Sequence, residues 1–323
     1  MNKRHVFAIL SLICFSASVW AQSGSGYPNQ PIRLMVPWPA GGGVDTTARM
    51  IADPLGKRLG QSIVIENRAG AGGNIGTDMA ARAKPDGYNL LMGSISPNAI
   101  NVHLYPKLPF DLIKDFTPIT FVSSLPIFLV VPVNSPIKSV TDLLTFAKAN
   151  PGKVTYGSAG VGSSQHLAAV QFMAATNLDL MHVPYKGTAP AEADLMAGHI
   201  SVMFDTATAI PFITGGKLKA LAVMSKKRNP VLPSVPTLDE MGLPNLYASS
   251  WYGLMGPAGM PPAVVSKLNA ELNEALRTPE VQKRMLDLGA EIGGGTPAEF
   301  ASFIQSEIAR YADIVKRSGA KFE

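Results

Sequence analysis

Cysteine is almost absent from this sequence: Cys14 is the single cysteine among 323 residues. It lies in a segment typical of secretory signals, with basic Lys3 and Arg4 followed by an apolar stretch that ends near Ala21. That stretch is too short to span a bilayer comfortably. Cleavage near Ala21 would remove Cys14, so the predicted mature chain forms neither disulfides nor thiolate metal sites. We therefore expect a periplasmic protein that is stabilised by a large core instead of disulfides.

Charged residues are also few. Asp, Glu, Lys and Arg make up 16% of the chain, and the formal net charge is +5. The densest basic cluster, at 226–228, is typical of a solvent-exposed loop. Because no basic stripe alternates with aromatic residues, we predict no nucleic-acid partner.

Motifs for nucleotide, metal and hydrolase chemistry are missing. Thr46 stands where a dinucleotide fingerprint after Gly41 needs glycine, and the sequence has no P-loop and no His-x-x-x-His pair. Ser158 comes one place too early for a nucleophile elbow. We predict no cofactor, no metal and no enzymatic activity. A hydrolase that pairs Ser163 or Ser158 with His166 stays open as an alternative, because catalytic groups are assembled in space.

Short apolar runs alternate with helical patterns, which is typical of α/β proteins with strands covered by helices. The predicted strands are 32–36, 62–66, 89–93, 127–133, 153–157, 178–183, 200–204, 220–224 and 250–256. The predicted helices are 46–59, 74–83, 139–149, 163–175, 189–197, 207–214, 262–277, 279–288 and 296–318.

Two extended runs, 116–125 and 248–253, suggest that the chain crosses twice between two lobes. We predict that 22–123 and 250–323 form lobe 1 and that 124–249 form lobe 2. Each lobe would be a mostly parallel sheet flanked by helices. A ligand cleft would lie between them, at the carboxyl ends of strands, with hinges near Ser123 and Ser250.

Two glycine-rich loops each connect a predicted strand to a predicted helix. In the loop at 37–45, consecutive glycines permit close approach of a ligand, and Asp45 is predicted to cap the following helix. The loop at 156–166 has the hydroxyl groups of Ser163 and Ser164 at its helix start. Helix N-termini bind anions through free N–H groups, so we predict that the two loops clamp a carboxylate.

Other polar residues follow predicted strands and should lie on the same side of the cleft. They are Ser94, Ser96 and Asn98 after one strand, Tyr185 and Gly187 after another, and Asp205 after a third. Asp205 is predicted either to cap a helix or to fix a clamp loop, and Trp38 either to form a pocket wall or to belong to the core. His182 is predicted to be a core histidine with a satisfied ring.

The sequence resembles the Bug/TctC family, the periplasmic solute receptors of tripartite tricarboxylate transporters. The resemblance covers essentially the whole predicted mature chain. It rests on Pro-Ala-Gly-Gly at 39–42 with Asp45, Glu-Asn-Arg-Ala-Gly-Ala-Gly-Gly at 66–73, Tyr-Gly-Ser-Ala-Gly at 156–160, His-Val-Pro-Tyr-Lys-Gly at 182–187, Met-Phe-Asp at 203–205 and Ser-Trp-Tyr-Gly at 250–253.

This resemblance implies a two-lobed type II periplasmic binding fold without catalysis, which captures a small carboxylate and delivers it to a membrane permease. We expect the ligand to be a dicarboxylate, aliphatic or aromatic, and the receptor to be a monomer. The resemblance implies that backbone amides and bridging waters hold one carboxylate. The residues carried over are Trp38, Ala40, Gly41, Gly42, Asp45, Ala159, Gly162, Ser163 and His166. To these we add Pro39, Ser94, Ser96, Asn98, Ser158, Ser164, Tyr185, Gly187 and Asp205.

Two positions depart from the family pattern: Asn98 stands where histidine is common, and Gln165 where threonine is common. We expect both to affect ligand selectivity. A sensory receptor for a membrane kinase, or a receptor of the ABC type, would have the same fold and is not separated from a transport receptor by sequence.

Overall fold

A computed structural model describes residues 26–318 as a mixed α/β protein. The predicted signal peptide and Cys14 lie outside the described residues. The strands are β1 (Ile32–Val36), β2 (Ile63–Asn67), β3 (Asn89–Ser94), β4 (Phe116–Pro132), β5 (Thr155–Ser158), β6 (Met181–Pro184), β7 (Val202–Thr206), β8 (Leu218–Val223), β9 (Ser249–Pro257) and β10 (Glu291–Gly294).

The helices are α1 (Gly43–Leu59), α2 (Asn74–Ala81), α3 (Asn101–Leu104), α4 (Val140–Ala149), α5 (Ser164–Thr176), α6 (Thr188–Met196), α7 (Ile210–Thr214), α8 (Pro262–Leu276), α9 (Pro279–Asp287) and α10 (Pro297–Ser318). A π-helical turn at Ser96–Ile100 precedes α3, and a 3-10 turn at Ala207–Ala209 precedes α7. None of the helices within 26–318 has the length and apolar character needed to cross a membrane.

Strand β4 organises the sheet because it belongs to two sheet regions. Its first part pairs antiparallel with β9 and β10, and its second part pairs antiparallel with β7 and β8. The first sheet region is completed by β1, β2 and β3, and the second by β5 and β6. We keep these two names below.

The strand directions are more mixed than predicted. Strands β1, β2 and β3 are parallel, as are β5, β6 and β7, and each set is linked through covering helices. Strands β4 and β9 instead run antiparallel to their neighbours, because each carries the chain from one sheet region into the other. The sheet is therefore mixed, not mostly parallel.

The hydrophobic core follows from these pairings. The segment from Phe128 to Val131 is fully buried, as expected for a strand that is covered on both faces. In the first sheet region, α1 buries Ile51 and Leu55 in the same cluster as Leu34. Each fully buried side chain of this size contributes about 1.5–3 kcal/mol. Their packing fixes the start of α1 relative to the end of β1, where the candidate site lies.

Several predicted boundaries differ from the structure. The strand predicted at 127–133 begins at Phe116, so the extended run at 116–125 is the first part of β4. Strand β6 begins at Met181 and not at 178. The segment at 207–214 is a 3-10 turn followed by the short helix α7. Strand β10 and the helical segment from Ser96 to Leu104 were not predicted at all.

Candidate functional site

A small pocket of about 40 Å³ lies between the two sheet regions, at the carboxyl ends of β1, β3, β5 and β7. The first sheet region and its connections supply Trp38, Pro39, Gly42, Gly43, Val44, Ser94, Ile95, Ser96, Ser250 and Tyr252. The second supplies Ala159, Ser163, Ser164, Gln165, Gly187, Thr188 and Thr206. Strand ends from both regions therefore face one space, as predicted.

Helices α1, α5 and α6 all begin at this pocket. Gly43 and Val44 open α1, Ser164 and Gln165 open α5, and Thr188 opens α6. The first N–H groups of an α-helix have no acceptor within the helix, and the helix dipole places partial positive charge there. None of the described pocket-lining residues carries a charged side chain. The pocket thus offers N–H and hydroxyl donors without a fixed cation.

Asp45 fixes the first loop, but it does so differently from our prediction. The N-cap of α1 is Gly42, and Asp45 lies inside the first turn, so the predicted N-cap role was wrong. Its carboxylate instead accepts hydrogen bonds from Gly41 N–H at 3.0 Å, Asn67 Nδ2 at 2.9 Å and Arg49 Nε at 2.9 Å. Burial opposes ionisation of Asp45, yet these donors outweigh it and lower its pKa.

The indole of Trp38 forms the wall of the pocket on this side. Its Nε1 donates to Ser94 Oγ at 3.0 Å, and its carbonyl oxygen accepts from Asn67 Nδ2 at 2.9 Å. Asn67 therefore links Trp38 to Asp45, and one amide side chain keeps the loop at a fixed distance from the helix start. Trp38 thus lines the pocket and also packs against the hydrophobic core, so both interpretations apply in part.

The second loop is held by capping and by a buried glutamine. Ser163 is the N-cap of α5, because its Oγ accepts from His166 N–H at 3.2 Å. Gln165 Oε1 accepts from Ala159 N–H at 2.6 Å, while its Nε2 donates to Asp205 Oδ1 at 2.7 Å. Gln165 thus connects the loop after β5 to the end of β7. This contact agrees with the predicted role of Asp205 in fixing a clamp loop.

Behind the second loop, three rings form a stack. The ring centres of His166 and His182 lie 4.4 Å apart, that of Tyr156 lies 4.7 Å from His182, and those of Tyr156 and His166 lie 6.5 Å apart. His166 Nδ1 accepts from Gly162 N–H at 3.3 Å, and His182 Nε2 shares a hydrogen bond with Ser158 Oγ at 2.7 Å. The ring nitrogen of His182 is therefore satisfied, as predicted, but the residue is half-buried and does not belong to the core.

These contacts bear on the hydrolase alternative. Ser158 bonds to His182 and not to His166, and it is fully buried, so a substrate carbonyl cannot reach its oxygen. The Ser163 hydroxyl accepts a backbone N–H as a helix cap. Neither predicted pair, Ser158 with His166 or Ser163 with His166, therefore places a nucleophile beside its base. The described residues also contain no group of three potential metal ligands.

The stacked histidines predict an acid-labile fold. Burial lowers the pKa of His166 to about 3, with a further contribution from His182, and lowers the pKa of His182 to about 4. Below pH 6.5 the two histidines bind protons in the unfolded chain but stay neutral in the folded chain. The free energy of unfolding therefore falls as pH falls. The slope is at most about 1.4 kcal/mol per pH unit for each histidine. Urea denaturation at pH 7, 6 and 5 measures it.

The matched variant for this prediction is His166→Phe, which keeps a stacked ring and removes one titrating group. Loss of the acceptor for Gly162 N–H lowers its stability equally at every pH. We expect its pH slope to be shallower than that of the unchanged chain. Identical slopes for the two proteins would contradict the burial of a neutral His166.

The remaining predicted residues lie close to the pocket without lining it. Ala40 and Gly41 are exposed on the outer side of the first loop, and Asn98 is buried behind Ser94, whose N–H it accepts at 3.0 Å. Tyr185 points away, because its hydroxyl donates to Asp194 at 2.6 Å. The other predicted residues that do not line the pocket are Asp45, Ser158, Gly162, His166 and Asp205. The predicted residues that do line the pocket are Trp38, Pro39, Gly42, Ser94, Ser96, Ala159, Ser163, Ser164 and Gly187.

Eight lining residues were not among the predicted site residues: Gly43, Val44, Ile95, Gln165, Thr188, Thr206, Ser250 and Tyr252. Six of them directly adjoin predicted residues, so extending each loop by one position would have found them. Gln165 was noted only as a departure from the family pattern, and Ser250 only as a hinge. Tyr252 lies inside an apolar strand, and its sequence context gives no signal that its ring reaches the pocket.

The two sides of the pocket touch each other. A Cβ atom built on Gly187 would lie 3.0 Å from Pro39 Cγ, and one built on Gly42 would lie 3.7 Å from Thr188 Oγ1. Deeper in the cleft, a Cβ on Gly162 would lie 2.9 Å from Asn101 Oδ1. Gly187 also has a φ of +120°, a conformation that favours glycine. The cleft is therefore closed in this structure.

Comparison with known proteins gives consistent matches. Residues 47–320 match the family model described as "Tripartite tricarboxylate transporter family receptor". The chain is 37% identical over 326 residues to Protein BugT of Bordetella pertussis, with full coverage of both chains. The structure of R. palustris Rpa4515 with adipate superimposes with a TM-score of 0.89 and 34% identity, and covers 92% of this chain and 100% of that one.

A further solved structure is MatC (Rpa3494) from Rhodopseudomonas palustris with bound malate. It superimposes with a TM-score of 0.85 and 35% identity, and covers 90% of this chain and 100% of that one.

Proposed function

The chain belongs to the tripartite tricarboxylate transporter receptor (TctC, or Bug) family, a family of periplasmic solute-binding proteins, and we propose that it captures a dicarboxylate between two lobes. It would then deliver this ligand to the permease of a tripartite transporter. We further propose that it acts in the periplasm, as a monomer and without catalysis.

The observation that carries this proposal is the convergence of α1, α5 and α6 on a pocket without charged side chains. A carboxylate needs several hydrogen-bond donors, and helix N-termini supply them already oriented. Hydrogen bonds to a charged group contribute about 1.5–3 kcal/mol each, so a few of them provide micromolar affinity after the costs of association. Adipate and malate, the ligands of two similar proteins, are both dicarboxylates.

We propose that the first sheet region forms lobe 1, with residues 22–123 and 250–323, and that residues 124–249 form lobe 2. Strands β4 and β9 would serve as hinges near Ser123 and Ser250, where they pair with each other. A space of 40 Å³ holds about two to three waters by the same measure, which is less than a dicarboxylate occupies. Ligand entry therefore requires the lobes to separate.

We propose that one set of residues contacts the ligand and that a second set holds the first set in position. One ligand carboxylate would accept hydrogen bonds, directly or through water, from Gly43, Val44, Ser163, Ser164 and Thr188. Asp45, Gln165, Asp205 and His166 would keep those donors in place. The polar group formed by Ser94, Ser96 and Asn98 would bear on selectivity, because it lies on the side of the pocket away from α5 and α6.

A thermal-shift screen tests the ligand class. We expect dicarboxylates, with adipate and malate as first probes, to raise the melting temperature, and esters of the same acids to have no effect. A ligand at 100 times its dissociation constant stabilises the fold by about 2.7 kcal/mol. If the neutral esters stabilise as well as the acids, carboxylate recognition is refuted. Co-purification of the receptor with membrane permease subunits, in the presence of the stabilising acid, tests the transport role.

A further inference from the structure

Two carboxyl groups lie buried together directly behind the pocket. Asp205, near the end of β7, is 0% exposed, and Glu192, on α6, is 4% exposed. The two side chains contact each other. Sequence analysis singled out Asp205 but not Glu192, and the carboxylate clamp described above does not use Glu192.

The hydrogen bonds around this pair are incomplete. Asp205 Oδ1 accepts from Gln165 Nε2 and from Thr206 N–H, both at 2.7 Å. Asp205 Oδ2 and Glu192 Oε1, in contrast, have no donor among the described residues. Two adjoining carboxyl groups in a buried site cannot both ionise, and one proton between them supplies the missing donor.

No cation compensates this charge. The other groups that face the pair are Gln165 from α5, Tyr252 from β9, Thr206 at the end of β7 and Thr208 in the turn that follows. In the part of the chain that the structure describes, no lysine, arginine or histidine acts on either carboxyl. Burial raises the pKa of both groups. The neighbouring Glu192 raises the pKa of Asp205 further, whereas the hydrogen bond with Asp205 partly offsets the rise at Glu192, as expected when Asp205 holds the proton.

The pair is connected to the pocket through its lining. Gln165 and Thr206, which bond to Asp205, both line the pocket, and Gln165 Nε2 also lies 3.4 Å from Thr188 Oγ1. Glu192 stands one helical turn after Thr188 on α6. An anion bound at the start of α6 would therefore lie close to the pair, in a region with little water to screen it.

We propose that Asp205 and Glu192 form a proton-binding site that is coupled to ligand capture, so that the receptor takes up a fraction of a proton when a carboxylate binds. This inference rests on the proposed function. The bound anion raises the proton affinity of the pair, and by reciprocity the protonated pair binds the anion more tightly. Affinity therefore falls as pH rises through the titration of the pair, by less than tenfold per pH unit.

Titration calorimetry with adipate tests the coupling. Binding is measured at pH 6, 7 and 8 in phosphate and in Tris, whose ionisation enthalpies differ widely. Proton uptake makes the observed enthalpy depend on the buffer, and the slope gives the number of protons. The test variant is Glu192→Gln, which keeps the side-chain shape and provides a donor for Asp205. The control is Asp53→Asn, because Asp53 also lies on a helix that opens at the pocket, but its side chain is 65% exposed.

We expect buffer-dependent binding enthalpy in the unchanged chain and in Asp53→Asn, and buffer-independent binding in Glu192→Gln. Tight binding by the unchanged chain with no buffer dependence at any of the three pH values would overturn the coupling while leaving the proposed function intact. That measurement does not depend on the folding of any variant. Proton uptake that persists in Glu192→Gln would also overturn it. Failure of adipate and malate to bind at all would refute the proposed function, and the coupling with it.

Discussion

Replacing Gly43 with alanine is expected to weaken dicarboxylate binding by about 5- to 150-fold. A Cβ atom on Gly43 would overlap the Tyr252 hydroxyl and lie 3.3 Å from Leu125 Cδ1. Tyr252 is buried and belongs to β9, so it cannot move aside freely. Overpacking of this kind costs about 1–3 kcal/mol, and here the strain displaces the start of α1 from the pocket. Calorimetric affinity for adipate measures the effect.

The double variant Gly43→Ala, Tyr252→Phe supplies the control. Phenylalanine removes the hydroxyl oxygen, after which the nearest ring atom, Cζ, lies 3.1 Å from the added Cβ. We expect this variant to recover part of the affinity lost in Gly43→Ala. If Gly43→Ala binds adipate as tightly as the unchanged chain, the first turn of α1 does not contribute donors to the ligand.

Replacing Asp45 with alanine is expected to cost both stability and affinity. The substitution removes the carboxylate acceptor of Gly41 N–H and one of the two acceptors of the Asn67 amide. Each of these hydrogen bonds to a charged group contributes about 1.5 kcal/mol, the low end of the usual range, because both are only part-buried and water can partly replace them. Arg49 contributes less, because its side chain is 52% exposed and water can replace the carboxylate. The first loop then loses its fixed position, and adipate affinity should fall at least tenfold. Urea denaturation and calorimetry measure the two effects separately.

The variant Asp45→Asn keeps the shape of the side chain but removes its negative charge. Its amide oxygen still accepts one of the hydrogen bonds, so we expect a loss intermediate between the unchanged chain and Asp45→Ala. Unchanged adipate affinity in a folded Asp45→Ala protein would show that loop order at this position does not matter for binding.

The parts of the fold that sequence predicted well have strong local signals. Strand β1 is a short apolar run followed by glycines, and the segment from Phe128 to Val131 is continuously apolar. Strand β10 was missed because it has four residues, two of them glycine, and a single large apolar side chain, Ile292. The π-helical turn at Ser96–Ile100 was missed because Pro97 and Asn98 interrupt any helical period.

For the site, sequence identified the loops better than the roles of their residues. Glycines and capping hydroxyls are local signals, and both glycine-rich loops that they mark contribute residues to the pocket. Asp45 was predicted as an N-cap because it precedes the apolar helical pattern, yet α1 begins earlier, at Gly43, through backbone that only tertiary packing fixes. Glu192 resembles any surface glutamate in a helix, and only the position of α6 beside β7 brings it to Asp205.

The most direct measurement is a crystal structure of the receptor with a bound dicarboxylate such as adipate. We predict that one carboxylate lies between the first turns of α1, α5 and α6. Its oxygens should be within hydrogen-bond distance of backbone N–H groups, of the Ser163 or Thr188 hydroxyls, or of waters that bridge to them. A ligand carboxylate held by a lysine or arginine side chain, or bound outside the cleft, would contradict a neutral clamp built from helix N-termini.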